Sequence, residues 1–302
     1  MRVHPRWCGR ERDRAMVDVS DPVVWWNGGL CAAGEVRISP FDHGLLVGDG
    51  VFETVRVYGG QPFAWRRHLD RLAHSAAGLG LGLPPRDELR AAADAVLAAN
   101  GLTEARLRIT VTGGVSPLGS ERGDAPVTVI VAATEVVPGA AATTVAISPW
   151  PRNEHGATAG LKTTSYAENV RALAYARELG ATEAVLENTQ HQLCEATGSN
   201  VFVVSEGVVR TPPASSGCLL GVTRALVVEL CPSLGLPVEE VPLPLHALID
   251  DADEAFLTST VREVQGIAEI AGWGHTFADA PGPVTRVLAA AFDDLVASDL
   301  DP

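Results

Sequence analysis

Lys162, in the stretch GLKTTSYAENVRAL, is the only lysine of the chain: every other member of its 23 lysines and arginines is an arginine. Abundant alanine, glycine, arginine and proline point to a coding bias under which an exposed lysine drifts to arginine at little energetic cost. The lysine that stays is one whose work a guanidinium cannot do. A guanidinium keeps its charge throughout the accessible pH range, whereas a desolvated amine can lose its proton, attack a carbonyl and accept a proton from carbon. Chance retention is the competing reading, and the neighbouring motifs decide between the two.

Those motifs supply complementary groups. Glu195, in QLCEATGSN, offers an acid. LLGVTRAL places Gly221, Val222 and Thr223 at a helix N-terminus, where free N–H groups and the positive end of the helix dipole attract a phosphate dianion. Thr260, in LTSTVRE, adds a hydroxyl. With Lys162 these are the parts of a pyridoxal phosphate site: an amine to form the imine, an acid to keep the pyridine nitrogen protonated, and donors for the phosphate. Each alone has an ordinary reading. A glutamate at a strand end is solvated, a Gly-x-Thr caps a helix, and HLDRL is an amphipathic surface with Arg71 outward. Their order and spacing together favour the site. His43 and His68 read equally as structural or functional residues and are assigned no catalytic role; in the structural reading His68 orients the helix that carries Arg71.

The elements that must hold these residues follow from periodicity. VVWWNGGL is a strand entering an Asn-Gly turn, and FDHGLLVGDGVFETVRVYGGQPF is a Gly-rich bend followed by an alternating strand closed by a GG turn. WRRHLDRLAHSAAGLGL switches to helical spacing, with Leu69, Leu72, Ala76 and Leu79 on one face. A helix from about Arg86 to Asn100 and the strands ARLRITVTGG and APVTVIVAAT complete this half. EVVPGAAATT, residues 135 to 144, reads as the interdomain connection. Beyond it come a strand at 144 to 148, the Lys162 loop, a helix from about Ala167 to Leu179, and the strands TEAVLEN, QLCEA and NVFVVSEGVV. A helix opening near Gly221, the strand ADEAFLTST and a helix at 283 to 297 finish the chain. The expected organisation is a disordered tail or misplaced start over residues 1–20, a small α+β domain over 21–136, and a larger mixed α/β cofactor domain over 137–302. LIDDADE reads as a solvated loop, and Trp25 and Trp26 as core or interface.

From about Val23 to Phe292 the chain resembles the fold-type IV pyridoxal phosphate enzymes, which include branched-chain aminotransferases, D-amino acid aminotransferases and 4-amino-4-deoxychorismate lyases. FDHGLLVGDGVFETVRVY with HLDRL, GLKTTSY, EATGSNVF, GVTR and ADEAFLTST carry the resemblance. It implies a D-amino acid aminotransferase-like α/β fold, a small-molecule amine substrate, and a homodimer with its sites near the subunit interface. It makes Lys162 the imine-forming catalytic lysine, Glu195 the partner of the pyridine nitrogen, Arg71 the phosphate arginine, and Val222, Thr223 and Thr260 further phosphate contacts. Glu53, Arg108 and Tyr166 are the expected substrate contacts. The arginine and histidine that clamp the carboxylate in D-amino acid enzymes fall on Leu118 and Ser120 here, with Arg108 or Arg122 as substitutes. The tyrosine that branched-chain enzymes carry five residues after the lysine falls on Ala167, with Tyr166 one residue earlier. KTTSYAENV, QLCEATGSNVF and SSGCLLGVTR are most similar to aminodeoxychorismate lyases. The expected activity is therefore release of 4-aminobenzoate and pyruvate from aminodeoxychorismate, a step toward folate. The alternatives are a class IV aminotransferase for D- or branched-chain amino acids and a non-catalytic pyridoxal phosphate-binding protein.

Composition bounds the rest. A chain 46% hydrophobic and 20% charged is globular. Its formal net charge of −14 argues against nucleic acid and anionic membranes as partners. The one basic cluster, MRVHPRWCGRERDR, lacks the apolar core of a secretory signal, and no apolar run reaches membrane-spanning length. Five cysteines without metal-ligand spacing imply reduced thiols in a cytoplasm and no metal site.

Overall fold

The computed structural model describes residues 21–302, so the expected tail and Cys8 lie outside the described residues. Strands between Val23 and Glu135 form a six-stranded antiparallel sheet in the order Gly29–Ala32, Val23–Trp26, Thr128–Glu135, Ala105–Thr112, Gly50–Tyr58, Gln61–Pro62. Strict alternation sets its two faces. Val51, Glu53, Val55 and Val57 pair across to Val111, Ile109, Leu107 and Ala105 on one face, while Phe52, Thr54 and Arg56 pair with Thr110, Arg108 and Arg106 on the other. The first face is covered by the helices Trp65–Leu79 and Arg86–Asn100, whose Leu69, Leu72, Leu89, Ala93 and Val96 fill a core with the sheet's valines. The expected Leu69, Leu72, Ala76, Leu79 stripe is the one that packs.

The second sheet is mixed and has nine strands. Its order is Val238–Glu240, Val208–Thr211, Asn200–Ser205, Glu254–Ser259, Glu263–Ala271, Ala142–Ile147, Glu183–Glu187, Leu193–Ala196, with His275–Thr276 added beside Glu263–Ala271. Leu193–Ala196 at one end turns through Thr197, Gly198 and Ser199 into Asn200–Ser205 near the other end. Leu193, Val201, Leu257 and Ile267 meet in one core, so the sheet curls around it. Its other face packs on the helices Val222–Ser233 and Pro283–Ser298 through Phe202, Phe256, Leu226 and Phe292, the first two rings stacked with centroids 4.7 Å apart.

The two halves meet at specific points. Phe63 and Ala64, just before the helix Trp65–Leu79, join the core of the second half, where Phe63 meets Phe292 edge-on at 5.7 Å. In return, the Lys162 segment adds to the free edge of strand Gly50–Tyr58: Phe52 N–H donates to Lys162 O at 3.1 Å and Thr164 N–H to Gly50 O at 2.8 Å. Ser75 Oγ accepts the Lys162 N–H at 3.0 Å.

Some local expectations shift. The strand expected at 144 to 148 runs Ala142–Ile147, which shortens the connection, and the FDHG bend contains a short helix, His43–Leu46, capped by the Asp42 carboxylate. LIDDADE is not wholly a solvated loop. Its Glu254 is buried and begins a strand, and its carboxylate accepts the N–H groups of Val284 and Thr285 at 2.9 Å each and the Thr285 hydroxyl at 2.9 Å. It thereby caps the helix Pro283–Ser298, whose N-terminal N–H groups have no acceptor within the helix. Glu254→Ala should therefore reduce the free energy of unfolding by on the order of 3 kcal/mol, seen as a lower urea midpoint at unchanged m value. A loss no larger than that of an exposed glutamate would show the cap to be dispensable.

Candidate active site

A cavity of about 750 Å³ opens between the two halves, and Lys162, Glu195, Arg71, Gly221, Val222, Thr223 and Thr260 all lie on its wall. A second cavity of about 760 Å³ adjoins it, lined by the Phe52, Thr54, Arg106, Arg108 face of the first sheet and by Arg262. Lys162, Thr164, Tyr166, Gly198, Ser259 and Thr260 border both. Lys162 thus stands in a partition between two chambers.

The Lys162 amine lies 4.4 Å from the centre of the Phe52 ring and 5.9 Å from that of Tyr166. Burial, then the Arg71 charge, push its pKa down to about 8, against the opposing pull of Glu53 and Glu195. A substantial neutral fraction at physiological pH is the consequence. Tyr166 meets Phe52 edge-on at 5.1 Å, and burial raises its phenol to about 12.

Arg71 is held, not free. Its Nε and Nη2 donate to the two oxygens of Glu53 at 2.8 Å each, and its Nη1 to Leu220 O at 3.3 Å. His68 Nδ1 lies 2.7 Å from the same carboxylate and, facing an acceptor, carries the proton there. Glu53 is fully buried. Burial alone would raise its pKa, but the Arg71 charge and the hydrogen bonds from Arg71 and His68 prevail and hold it far below the usual range. This corrects the expectation that Glu53 contacts substrate: it lies on the core face of its strand, away from both cavities, and its oxygens are committed to Arg71 and His68.

On the wall of the first cavity, Glu195 Oε2 accepts the Leu219 N–H at 2.9 Å, and Oε1 lies 3.5 Å from Arg152 Nε. Burial raises its pKa, with the Arg152 charge and the Leu219 N–H in opposition. Sequence reasoning did not single out Arg152, because nothing in SPWPRNEH marks it. Nor did it single out Arg106, although the alternation of ARLRITVT puts it on the Arg108 face, or Arg262. Arg108 stacks over Phe52 with its guanidinium carbon 3.7 Å from the ring centre. Arg122 is paired with Asp49 at 2.5 and 2.6 Å, and Leu118 is exposed to solvent, so neither reaches the Lys162 partition.

The residues present fit pyridoxal phosphate. Gly221 gives the helix Val222–Ser233 no side-chain cap, leaving its first N–H groups to the cavity. Thr258 Oγ1 and Arg152 Nε are buried on the same wall without hydrogen-bond partners. Glu195 is a partly buried carboxylate on the cavity wall whose charge calls for a further cationic donor. Among the described residues, no group of three or more histidine, cysteine or acidic side chains is placed to hold a metal ion, and no helix is long and apolar enough to cross a membrane.

Comparison with known proteins bears on the chemistry. The family model for class IV amino-transferases matches residues 50–270. A Methanocaldococcus jannaschii protein, provisionally named a branched-chain-amino-acid aminotransferase, is 35% identical over 90% of this chain and 96% of its own. The D-alanine aminotransferase of Bacillus licheniformis is 32% identical over 91% of this chain and 98% of its own. Among solved structures, the branched-chain aminotransferase of the thermophilic archaeon Thermoproteus uzoniensis with norvaline superposes with a TM-score of 0.85 at 29% identity, covering 91% of this chain and 94% of that one. These findings overturn the expected kinship with aminodeoxychorismate lyases, and with it the lyase activity and the folate role. A Legionella pneumophila structure provisionally named 4-amino-4-deoxychorismate lyase has a TM-score of 0.81 over 86% of this chain and 95% of its own, but at 23% identity that likeness shows the fold alone. The chain belongs to the class IV aminotransferases, enzymes of fold type IV that work with pyridoxal phosphate.

Proposed function

We propose that this protein is an amino acid aminotransferase that holds pyridoxal phosphate in the first cavity and its amino acid in the second. The observation that carries the reading is the position of Lys162, the chain's one primary side-chain amine, in the partition common to both. Bound pyridoxal phosphate supplies a carbonyl carbon that bonds to amines and a ring that takes up the electron pair left when a substrate α-carbon loses its proton. The rest is the work of the chain's own residues. Arg71, the Val222 and Thr223 N–H groups and the Thr260 hydroxyl bind phosphate, and Glu195, with Arg152 behind it, keeps a ring nitrogen protonated. Lys162 Nζ, its basicity lowered by burial and by Arg71, takes the α proton and holds it for return.

The second cavity suits an amino acid. Arg106 and Arg108 bring positive charge to a site in a chain of net charge −14, matching a substrate carboxylate, while Phe52 and Tyr166 give an apolar surface beside Lys162. Branched-chain and D-alanine aminotransferases both occur among the relatives, so the donor test must span both. A homodimer is supported by an exposed apolar surface: Phe41, Leu45 and Val47 lie beside Val115 and Leu118, the two segments joined by the Ser116 N–H to Phe41 O bond at 3.0 Å. The four described cysteines are free, which suits a cytoplasmic protein.

The protein incubated with pyridoxal phosphate should turn yellow, and borohydride should fix the pyridoxyl group on the Lys162 peptide; no label on that peptide would refute the reading. With a panel of L- and D-amino acids it should perform one half-reaction and stop until a 2-oxo acid is added, whereas continued turnover without an acceptor would exclude an aminotransferase.

The pH dependence of cofactor uptake follows from Lys162. The neutral amine is the nucleophile, so the rate of uptake by cofactor-free protein should climb through a pH near 8, where an unburied lysine would respond only near 10.5.

Arg71→Ala should weaken cofactor retention by about 1.5–3 kcal/mol, measured as a dissociation constant by absorbance titration. Glu53→Gln should also weaken it although Glu53 touches neither cavity; unchanged retention in Glu53→Gln would show that Arg71 needs no anchor.

A further inference from the structure

The partition that contains Lys162 is built from two loops of the second half. Thr197–Ser199 follows Glu195 and Ser259–Arg262 carries Thr260; Gly198, Ser259 and Thr260 each border both cavities. Each is a short turn closed by backbone pairing at its ends, Ser259 with Glu263 in one and the Ala196 N–H to Ser199 O at 2.7 Å in the other, with no strand pairing between the two turns. Glu183, 3% exposed at the start of its strand, lies between them. Its Oε1 accepts the Thr197 hydroxyl and, at 3.2 Å, the Ala184 N–H, while its Oε2 accepts the Ser199 hydroxyl at 3.1 Å. On the other side, Arg262 Nε stands 3.6 Å from the same Oε2. The Arg262 guanidinium also donates to Gln265 Oε1 at 2.5 Å and to Thr182 O at 3.1 Å. The far end of that loop is fixed separately, by the Tyr58 hydroxyl donating to Glu263 Oε1 at 2.5 Å.

We propose that Glu183 and Arg262 form a positioning pair that sets the partition between the cofactor and substrate cavities, so that cofactor retention and substrate fit depend on the same contact. The inference rests on the assignment of the two cavities given above. The chemistry of the donors rules out a looser role for Glu183. A carboxylate has about four acceptor sites, and here three donors and a cation take them up, leaving nothing to offer a substrate amine. A neutral amide of the same shape would turn an N–H₂ toward either a hydroxyl that must then reorient or a guanidinium that cannot accept. Losing either partner therefore removes the direct side-chain link between the two turns.

The test uses Glu183→Gln, Arg262→Gln and the double variant. Amide hydrogen exchange is followed at 197–199 and 259–263, together with the dissociation constant for pyridoxal phosphate and the KM for the best donor of the panel. Each single variant should speed exchange in both loops and raise both constants about tenfold, and the double variant should be no worse than either single one. Faster exchange confined to the loop nearest the substitution would overturn the proposal, as would effects that multiply in the double variant or a lowered Tm at unchanged dissociation constant. If Glu183→Gln does not fold, Arg262→Gln, at a more exposed side chain, still reports on both loops. Borohydride labelling of Lys162 in the parent separates the two ideas: an unlabelled parent refutes the cavity assignment, while a labelled parent with uncoupled loops refutes only the pair.

Discussion

The strand Gly50–Tyr58 is the constraint on which the site depends, because it is used on both faces and along one edge. Its core face presents Glu53, which fixes Arg71 in a two-pronged ion pair at 2.8 Å. Its opposite face presents Phe52 and Thr54 to the second cavity beside Arg108. Its free edge takes the Lys162 segment through two backbone hydrogen bonds. A shift of one residue in the pairing with Ala105–Thr112 would move all three at once: a carboxylate would enter the cavity, valines would line it, and Arg71 would lose its partner.

Buried charge elsewhere follows one rule, that no carboxylate leaves water without donors to replace it. Glu254 answers to a helix N-terminus, Glu183 to two hydroxyls and Arg262, and Glu53 to Arg71 and His68. Glu195 is the least satisfied of the four. Leu219 N–H holds one of its oxygens, Arg152 stands 3.5 Å from the other, and burial raises its pKa. A carboxylate left partly unpaired on a cavity wall has capacity for a further cationic donor, and Glu195 differs from the other three both in partners and in being only partly buried.

The error about the lyase has a physical origin. Proton removal from an amine-bearing carbon needs the same lysine, acid and phosphate cradle whether the outcome is transamination or elimination, so GLKTTSY, EATGSNVF and GVTR do not separate the two. Similarity over the whole chain separates them, and the cavity proposed for the substrate draws Arg106 and Arg108 from a strand and Arg262 from a loop more than 150 residues away.

The sequence by itself determined the cofactor chemistry and much of the local structure. A lone lysine in an arginine-using chain, a glutamate before a Gly-Ser turn, and a Gly-Val-Thr helix start are local features, and so are the helix at Arg86–Asn100 and the stripe from Leu69 to Leu79, since each rests on spacing within a few residues. The alternation in VFETVRV even places Glu53 with the valines, a signal overlooked in favour of its charge. Only the tertiary structure decided that Arg152 lies behind Glu195, that Glu53 serves Arg71, that Glu254 caps a helix, and that Lys162 divides two cavities. These depend on which strand edge the Lys162 loop joins and on how the two sheets meet, and such contacts are fixed by burial and pairing between segments far apart in the chain, where local periodicity carries no information.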